Sequence, residues 1–287
     1  MRCPTCGNIQ QFKVGIICTR CSYRFHLNHK VFPFISDRKA HGVVRRVSAS
    51  GERPFTAHQV VAALIQSRKV TLGLTRKGAD SRAGAVLQVM SRYLDARKPP
   101  GYLDEPMFDS MIAPDWPEPD TLDYGAERIL VVDRRLAVDL LVRLWVHTGA
   151  KAIIVSADRY PKAVAERAEA LIGQRPDVPV FTFTGSGTEG AVFAQTVRSR
   201  FGVESDRPII DLGLERGFAK RRNRFAWARK LSDVSILALS HRVLSVSLVD
   251  ALLASERADL GRDGGDAGGG GVVFCAESDS HDGDDFG

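Results

Sequence analysis

The sequence predicts an α/β protein: an N-terminal cysteine ribbon, a small helical module, and a C-terminal doubly wound parallel sheet with an acidic tail. Three observations carry that expectation. Four cysteines near the N-terminus fall in two CxxC pairs, Cys3/Cys6 and Cys18/Cys21, with eleven residues between the pairs. The second half alternates short β-branched runs with helical patterns, the order of a parallel sheet. The last thirty residues are rich in Gly and Asp and too poor in apolar groups to form a core.

The cysteine spacing is that of a zinc ribbon, in which two knuckles bring four thiolates to one tetrahedral ion. Gly7 and Gly15 suit the turns after the first knuckle and into the second. Two disulfides are the competing arrangement. The sequence favours zinc, because no secretory signal precedes Cys3, and the expected compartment is the cytoplasm. A closed four-Cys site leaves no position for substrate, so the expected Zn is structural. The ribbon is assigned to residues 1–30.

The helical module is expected over 34–97. Ser36 is a suitable N-cap for a helix to Ser48, with Val43, Val44 and Val47 as its apolar stripe. Thr56-Ala-His-Gln59 is a capping box, with Phe55 and Val60 placed as a hydrophobic staple. A third helix is expected from Ser81 to Ala96, after turns at Gly73 and Gly78. Three short helices with a basic loop form either a winged-helix-like DNA-binding unit or a plain packing module. Prolines recur from Pro99 to Pro119, so 98–126 reads as a linker.

Within 127–257, strands are expected at RILVVD (128–133), KAIIVS (151–156), VPVFTF (178–183) and PIIDL (208–212). Helices are expected between them, including one over Leu136–His147 and one entered at Pro161. A basic helix near 217–230, an apolar run ILAL (236–239) and a helix near 244–257 complete the domain. Residues 258–287 are the tail, expected to be disordered.

Charge separates along the chain. The tail carries eight acidic residues and one arginine, while the whole chain is +6, so residues 1–257 carry +13. A body that basic points to nucleic acid or another polyanion. No stretch reaches the roughly 18–20 apolar residues of a membrane span. The segment Arg216–Lys230 holds seven basic residues and no acid, with aromatics interleaved. Lys220, Arg221, Arg222, Arg224 and Trp227 are its candidate contacts, the cations to phosphate and the indole to a base.

In a parallel sheet the chemistry gathers at the C-terminal strand ends. Asp133, Asp158, Glu189 and Asp211 all fall there, and three of them, Asp133, Glu189 and Asp211, are the candidate catalytic set. The loop after the third strand spells GxGxxG at Gly185, Gly187 and Gly190. It follows a strand and opens a helix, the context in which backbone N–H groups hold a phosphate.

The order VVD133, Tyr160-Pro161, FTFTGSGTEG and IIDLGL resembles the Toprim domain of topoisomerase VI A-type proteins. With the ribbon included, it also resembles a group of bacterial zinc-ribbon proteins carrying a comparable domain. The resemblance implies a site in which a Glu ends the first strand and a D-x-D pair ends the third, together holding Mg²⁺ for DNA-backbone chemistry. Here the Glu position is Asp133, and the D-x-D positions are Gly185 and Gly187. Losing two carboxylates of three removes most of the charge that Mg²⁺ requires. No equivalent of the family's nucleophilic tyrosine stands out. The expectation is therefore a Toprim-like scaffold without catalysis, in a protein that binds nucleic acid, DNA before RNA, or a nucleic-acid complex, with a protein partner as a further option for the ribbon. Two alternatives stand beside it: a Mg²⁺-dependent nuclease or topoisomerase-like enzyme, and a regulatory module that binds a nucleotide in the glycine loop.

Overall fold

The protein is described by a computed structural model that covers residues 1–27, 30, 33–67, 70, 76–104, 125–186, 190–214 and 234–259. The ribbon is two knuckles, each closed by a single antiparallel bridge, Arg2 to Ile9 in the first and Ile17 to Arg24 in the second. Its small core is Cys3, Cys18, Tyr23 and Phe25.

Three helices follow: α1 (Asp37–Val47), α2 (Ala57–Gln66) and α3 (Arg76–Arg97). Ser36 caps α1 through Lys39 N–H, and Thr56 with Gln59 closes the capping box on α2. Val43, Val60, Leu64, Val86, Met90 and Leu94 are fully buried and form one core among the three helices. Helix α3 starts five residues ahead of the expected Ser81 and takes Gly78 into its first turns. Ala79 is fully buried there, and its packing offsets part of what a glycine costs a helix.

The expected linker departs from the sequence at its start. Tyr102–Leu103 forms a strand, β2, that pairs in parallel with β1 (Phe55–Thr56). Leu103 is buried in the core of the next domain, and the Tyr102 ring packs 5.8 Å from that of Phe55. The turn depends on Gly101, at φ +82°, where a Cβ would stand 2.4 Å from the Arg53 carbonyl oxygen. Apolar anchoring outweighs the flanking prolines, so chain from 98 to 104 belongs to the folded body.

The second domain is a four-stranded parallel sheet, β3 (Arg128–Val132), β4 (Ala152–Ser156), β5 (Val180–Phe183) and β6 (Ile209–Asp211), in the order β4-β3-β5-β6. Every residue of β3 and β4 is buried, as a sheet covered on both faces requires. Ile129 and Val131 face one core with α6 (Lys162–Gln174) and α7 (Gly190–Phe201). Leu130 and Val132 face the other, with α4 (Arg135–Arg143), α5 (Val146–Gly149) and α8 (Leu248–Asp259). The doubly wound arrangement follows from right-handed crossovers run in both directions from β3.

Three details differ from the expected elements. The helix expected to His147 breaks at Trp145, which sits at φ 60°, ψ 22° between α4 and α5. The run 236–239 contains a 3₁₀ turn, Ile236–Ala238, capped by Ser235. Helix α8 is entered through a π turn (Val243–Ser247) and runs to Asp259, two residues into the expected tail. Residues 260–287 lie outside the described residues. Among the described residues, no helix is long and apolar enough to cross a membrane.

Candidate metal centre and the sheet edge

The two knuckles are copies fifteen residues apart. Cys3 N–H donates to the Asn8 carbonyl at 2.8 Å, and Cys18 N–H to the Tyr23 carbonyl at 2.7 Å. Gly7 N–H donates back to the Cys3 carbonyl, and Ser22 N–H to that of Cys18. Each turn needs a left-handed residue after its second cysteine: Gly7 at φ +73° in the first, and Ser22 at φ 57° in the second. Buried Gln10 joins the knuckles, donating to the Ile17 carbonyl at 2.8 Å and accepting from Thr19 N–H at 3.0 Å.

Cys3, Cys6, Cys18 and Cys21 present sulfurs that all lie within 4.8 Å of one another. The Cys3–Cys21 and Cys6–Cys18 sulfurs are 3.5 and 3.6 Å apart, too far for a disulfide. Tetrahedral bonds of about 2.3 Å from zinc to sulfur give an edge of about 3.8 Å. The four cysteines are thus placed to hold a metal ion, and the spacing is consistent with zinc. Burial opposes ionisation of the Cys18 thiol, but the backbone N–H groups of Arg20 and Cys21 and the Cys6 and Asn8 side chains bring it down to about 6. The Cys21 thiol is pushed up to about 12: a bond from the Tyr23 backbone is outweighed by burial and the three neighbouring sulfurs. A cation between the four sulfurs would be needed to hold all of them as thiolates.

One residue that sequence reasoning missed fixes the ribbon to the helices. Asp37, at the start of α1, is 2% exposed. Its carboxylate accepts from Tyr23 O–H at 3.0 Å, His26 N–H at 3.0 Å and Leu27 N–H at 2.9 Å. The Arg97 guanidinium lies 4.3 Å from the Tyr23 ring centre. Burial, with Tyr93 and Asp37 close by, raises the Tyr23 phenol above its usual range. An aspartate just after an N-cap is the ordinary choice for the helix dipole, so nothing in the sequence distinguished this one.

The remaining surface of α1 is cationic. Arg38, Lys39, Arg45 and Arg46 are all exposed, and the helix's one acid is the buried Asp37. Burial, Arg45 and Arg97 together lower the pKa of His41. The ribbon adds exposed Arg2, Lys13, Arg20 and Arg24 without a carboxylate.

At the sheet edge, the chain reverses direction between β3 and β5, where parallel sheets place ligands. Asp133 stands there, its Oδ2 accepting from Gly185 N–H at 3.4 Å. Asp211 is on the far side of β5. Its Oδ1 accepts from Thr182 Oγ1 at 3.2 Å and Gly213 N–H at 2.8 Å. Two strand spacings of about 4.8 Å separate β3 from β6. Asp158 is turned to Arg135 and to the Ser156 hydroxyl. The described acids of this edge, Asp133, Asp158 and Asp211, are thus each held by separate local donors. Among the described residues, the four-cysteine cluster is the only group of three or more His, Cys, Asp or Glu placed to share an ion.

The glycine loop has a local reason for its third glycine. A Cβ on Gly190 would stand 1.8 Å from Asp211 Oδ2, so the carboxylate rests against the first residue of α7. Ser186 is bound to Val234 through both N–H (3.1 Å) and Oγ (2.8 Å). Gly187, Glu189, Lys220, Arg221, Arg222, Arg224 and Trp227 lie outside the described residues.

The capping box of α2 also joins the two domains. Thr56 Oγ1 donates to the Leu237 carbonyl at 3.0 Å, and Gln59 Nε2 to that of Leu239 at 2.8 Å. His58 lies between them in sequence, and burial, with Arg134 near, lowers its pKa to about 4. Arg134 follows Asp133, so the start of α2 faces the end of β3. No family model matches this chain, and no curated protein or solved structure does either.

Proposed function

We propose that this protein is a zinc-containing nucleic-acid-associated protein, with a parallel-sheet domain that serves as a non-catalytic, Toprim-like scaffold. One observation carries the reading: through Gly51 the chain holds nine Lys and Arg residues against one acidic residue, Asp37, and that one is buried. The outward surface that the ribbon and α1 contribute is thus cationic. Each cation that meets a phosphate releases condensed counterions, which makes such binding steep in salt.

The scaffold reading draws support from the sheet edge. Asp133 and Asp211 are on opposite sides of β5, and each is engaged locally. A hard divalent cation wants several carboxylates around one point. The carboxylate of Asp211, resting on Gly190, stands where a phosphate would meet the start of α7, which weighs against the nucleotide-loop alternative. The four unpaired thiols suit a reducing compartment, and we place the protein in the cytoplasm.

The test is fluorescence anisotropy of the full chain with labelled duplex DNA, single-stranded DNA and RNA over a salt series. We expect DNA to bind best, with affinity falling steeply in salt. Charge reversal at Arg38, Lys39, Arg45 and Arg46 should weaken it at least as much as reversal at Arg221, Arg222 and Arg224. Absent binding, or binding indifferent to salt, would remove the reading. Nicking of supercoiled DNA with Mg²⁺ that is lost in Asp133→Ala would replace it with the enzymatic one.

A further inference from the structure

The geometry points to a nucleotide-binding pocket at the break between α4 and α5, with Trp145 as the stacking platform for a base. Its residues are outside the ribbon, the glycine loop and the sheet edge. As a site for one unit of a strand it deepens the nucleic-acid reading and in that respect rests on it.

Trp145 is 69% exposed and holds φ 60°, ψ 22°, a left-handed conformation that bulky side chains rarely take. Its backbone is fixed on both sides: its N–H donates to the Val142 carbonyl and its carbonyl accepts from Gly149 N–H, each at 2.9 Å. Glycine would hold this position with less strain, and an exposed indole adds little to the core. Local strain kept without a packing gain is a mark of function. The His147 ring stacks on the indole at 6.0 Å and 21°. Burial lowers the pKa of that histidine, so the platform is neutral near pH 7.

Beside the indole opens a cavity of about 330 Å³ between the two domains, lined also by Arg53, Arg143 and Glu52. That is the small end of the range for ligand pockets, about 300–1,000 Å³. It suits a single nucleotide rather than a long ligand. Guanidinium groups recognise phosphate with paired N–H donors. Glu52 offers an acceptor for a ribose hydroxyl or a base amino group. An exposed indole on a cavity lined by two arginines is the chemistry of a base joined to a phosphate. The ligand is either a free nucleotide or one residue of a single strand.

The experiment titrates the full chain with adenosine 5′-monophosphate and with a twelve-residue oligothymidylate. The proteins are wild type, Trp145→Gly, Trp145→Phe and Arg53→Ala/Arg143→Ala. Trp145→Gly suits the left-handed backbone, so its melting temperature should equal or exceed wild type while binding weakens about ten-fold or more, the loss of one stacked base. Trp145→Phe should retain part of the affinity. Loss of monophosphate binding assigns a free nucleotide; loss confined to the oligonucleotide assigns a strand. Equal binding of both probes by wild type and Trp145→Gly overturns the proposal, as does binding of neither by wild type. Oligonucleotide binding that ignores Trp145 but falls on charge reversal of α1 leaves the nucleic-acid reading standing without this pocket. Monophosphate binding that needs Trp145, in a chain that binds no polymer, leaves the pocket standing without that reading.

Discussion

Replacing Asp37 tests how the ribbon is held. Its buried carboxylate accepts three hydrogen bonds, from Tyr23 O–H, His26 N–H and Leu27 N–H. Bonds to a charged group contribute about 1.5–3 kcal/mol each, and a buried donor left unsatisfied costs about 1–3 kcal/mol. These are not additive, since water will enter the space left by Asp37→Ala. We expect that variant to lose about 3–5 kcal/mol, a large share of the 5–15 kcal/mol by which folded domains are stable. Asp37→Asn keeps one acceptor oxygen but turns an amide donor toward another donor, so about half of that loss should remain. Guanidinium denaturation read by circular dichroism gives the free energies. A chelator competition, followed by release of the bound metal, reads the ribbon itself. If both variants stay within about 0.5 kcal/mol of wild type and release metal at the same rate, Asp37 is not the tie described above.

Acid should destabilise the protein partly through His58, whose pKa is about 4 when folded against 6.5 as the ordinary value. The unfolded chain then takes the proton first, so stability is full above pH 6.5, erodes by about 2–3 kcal/mol down to pH 4, and levels off below; His58→Gln should flatten that slope in urea titrations at stepped pH. Gly190→Ala should cost about 1–2 kcal/mol by displacing the Asp211 carboxylate from Thr182 and Gly213. In an Asp211→Ala background the same change should cost much less, and an additive double-mutant cycle would refute the contact. Chelation should abolish amide protection in the ribbon and at Leu27 while leaving β3 and β5 protected, read by hydrogen exchange; loss of protection in the sheet would refute a local metal effect.

What the sequence disclosed follows the range of the interactions. The CxxC spacing, the Ser36 cap and the Thr56–Gln59 box are local, and each is present where it was read. The strands of the sheet are buried on both faces, so runs such as RILVV and AIIVS showed without alternation. What escaped was tertiary. Tyr102–Leu103 looked like linker because Pro99 and Pro100 precede it, yet its strand is fixed by Phe55, some fifty residues earlier. Asp133 and Asp211 were expected to share a crevice because both fall at strand ends. Strand order decides that instead, and it set β5 between Asp133 and Asp211. Trp145 looked like helix interior, since its left-handed turn has no glycine to announce it.

The two junctions of this chain differ in kind, and this is why metal loss should stay local. The ribbon meets the helices through Leu27, which joins their core, through the Arg97 and Tyr93 side chains of α3 against Tyr23 and His26, and through one carboxylate whose three donors all come from residues 23–27. Remove the ion and those donors lose the scaffold that holds them. Asp37 would then turn to solvent at the end of a helix whose other contacts persist. The helices meet the sheet domain through Thr56 and Gln59, whose geometry is fixed by the cap of α2 and by a core of fully buried residues such as Phe55, Val60 and Leu64. None of those contacts passes through a cysteine. Along the chain, the cations of α1 fall between the two junctions. The metal would therefore set the position of the ribbon's four cations relative to those of α1, and so the shape of the cationic surface, without setting the fold that carries it.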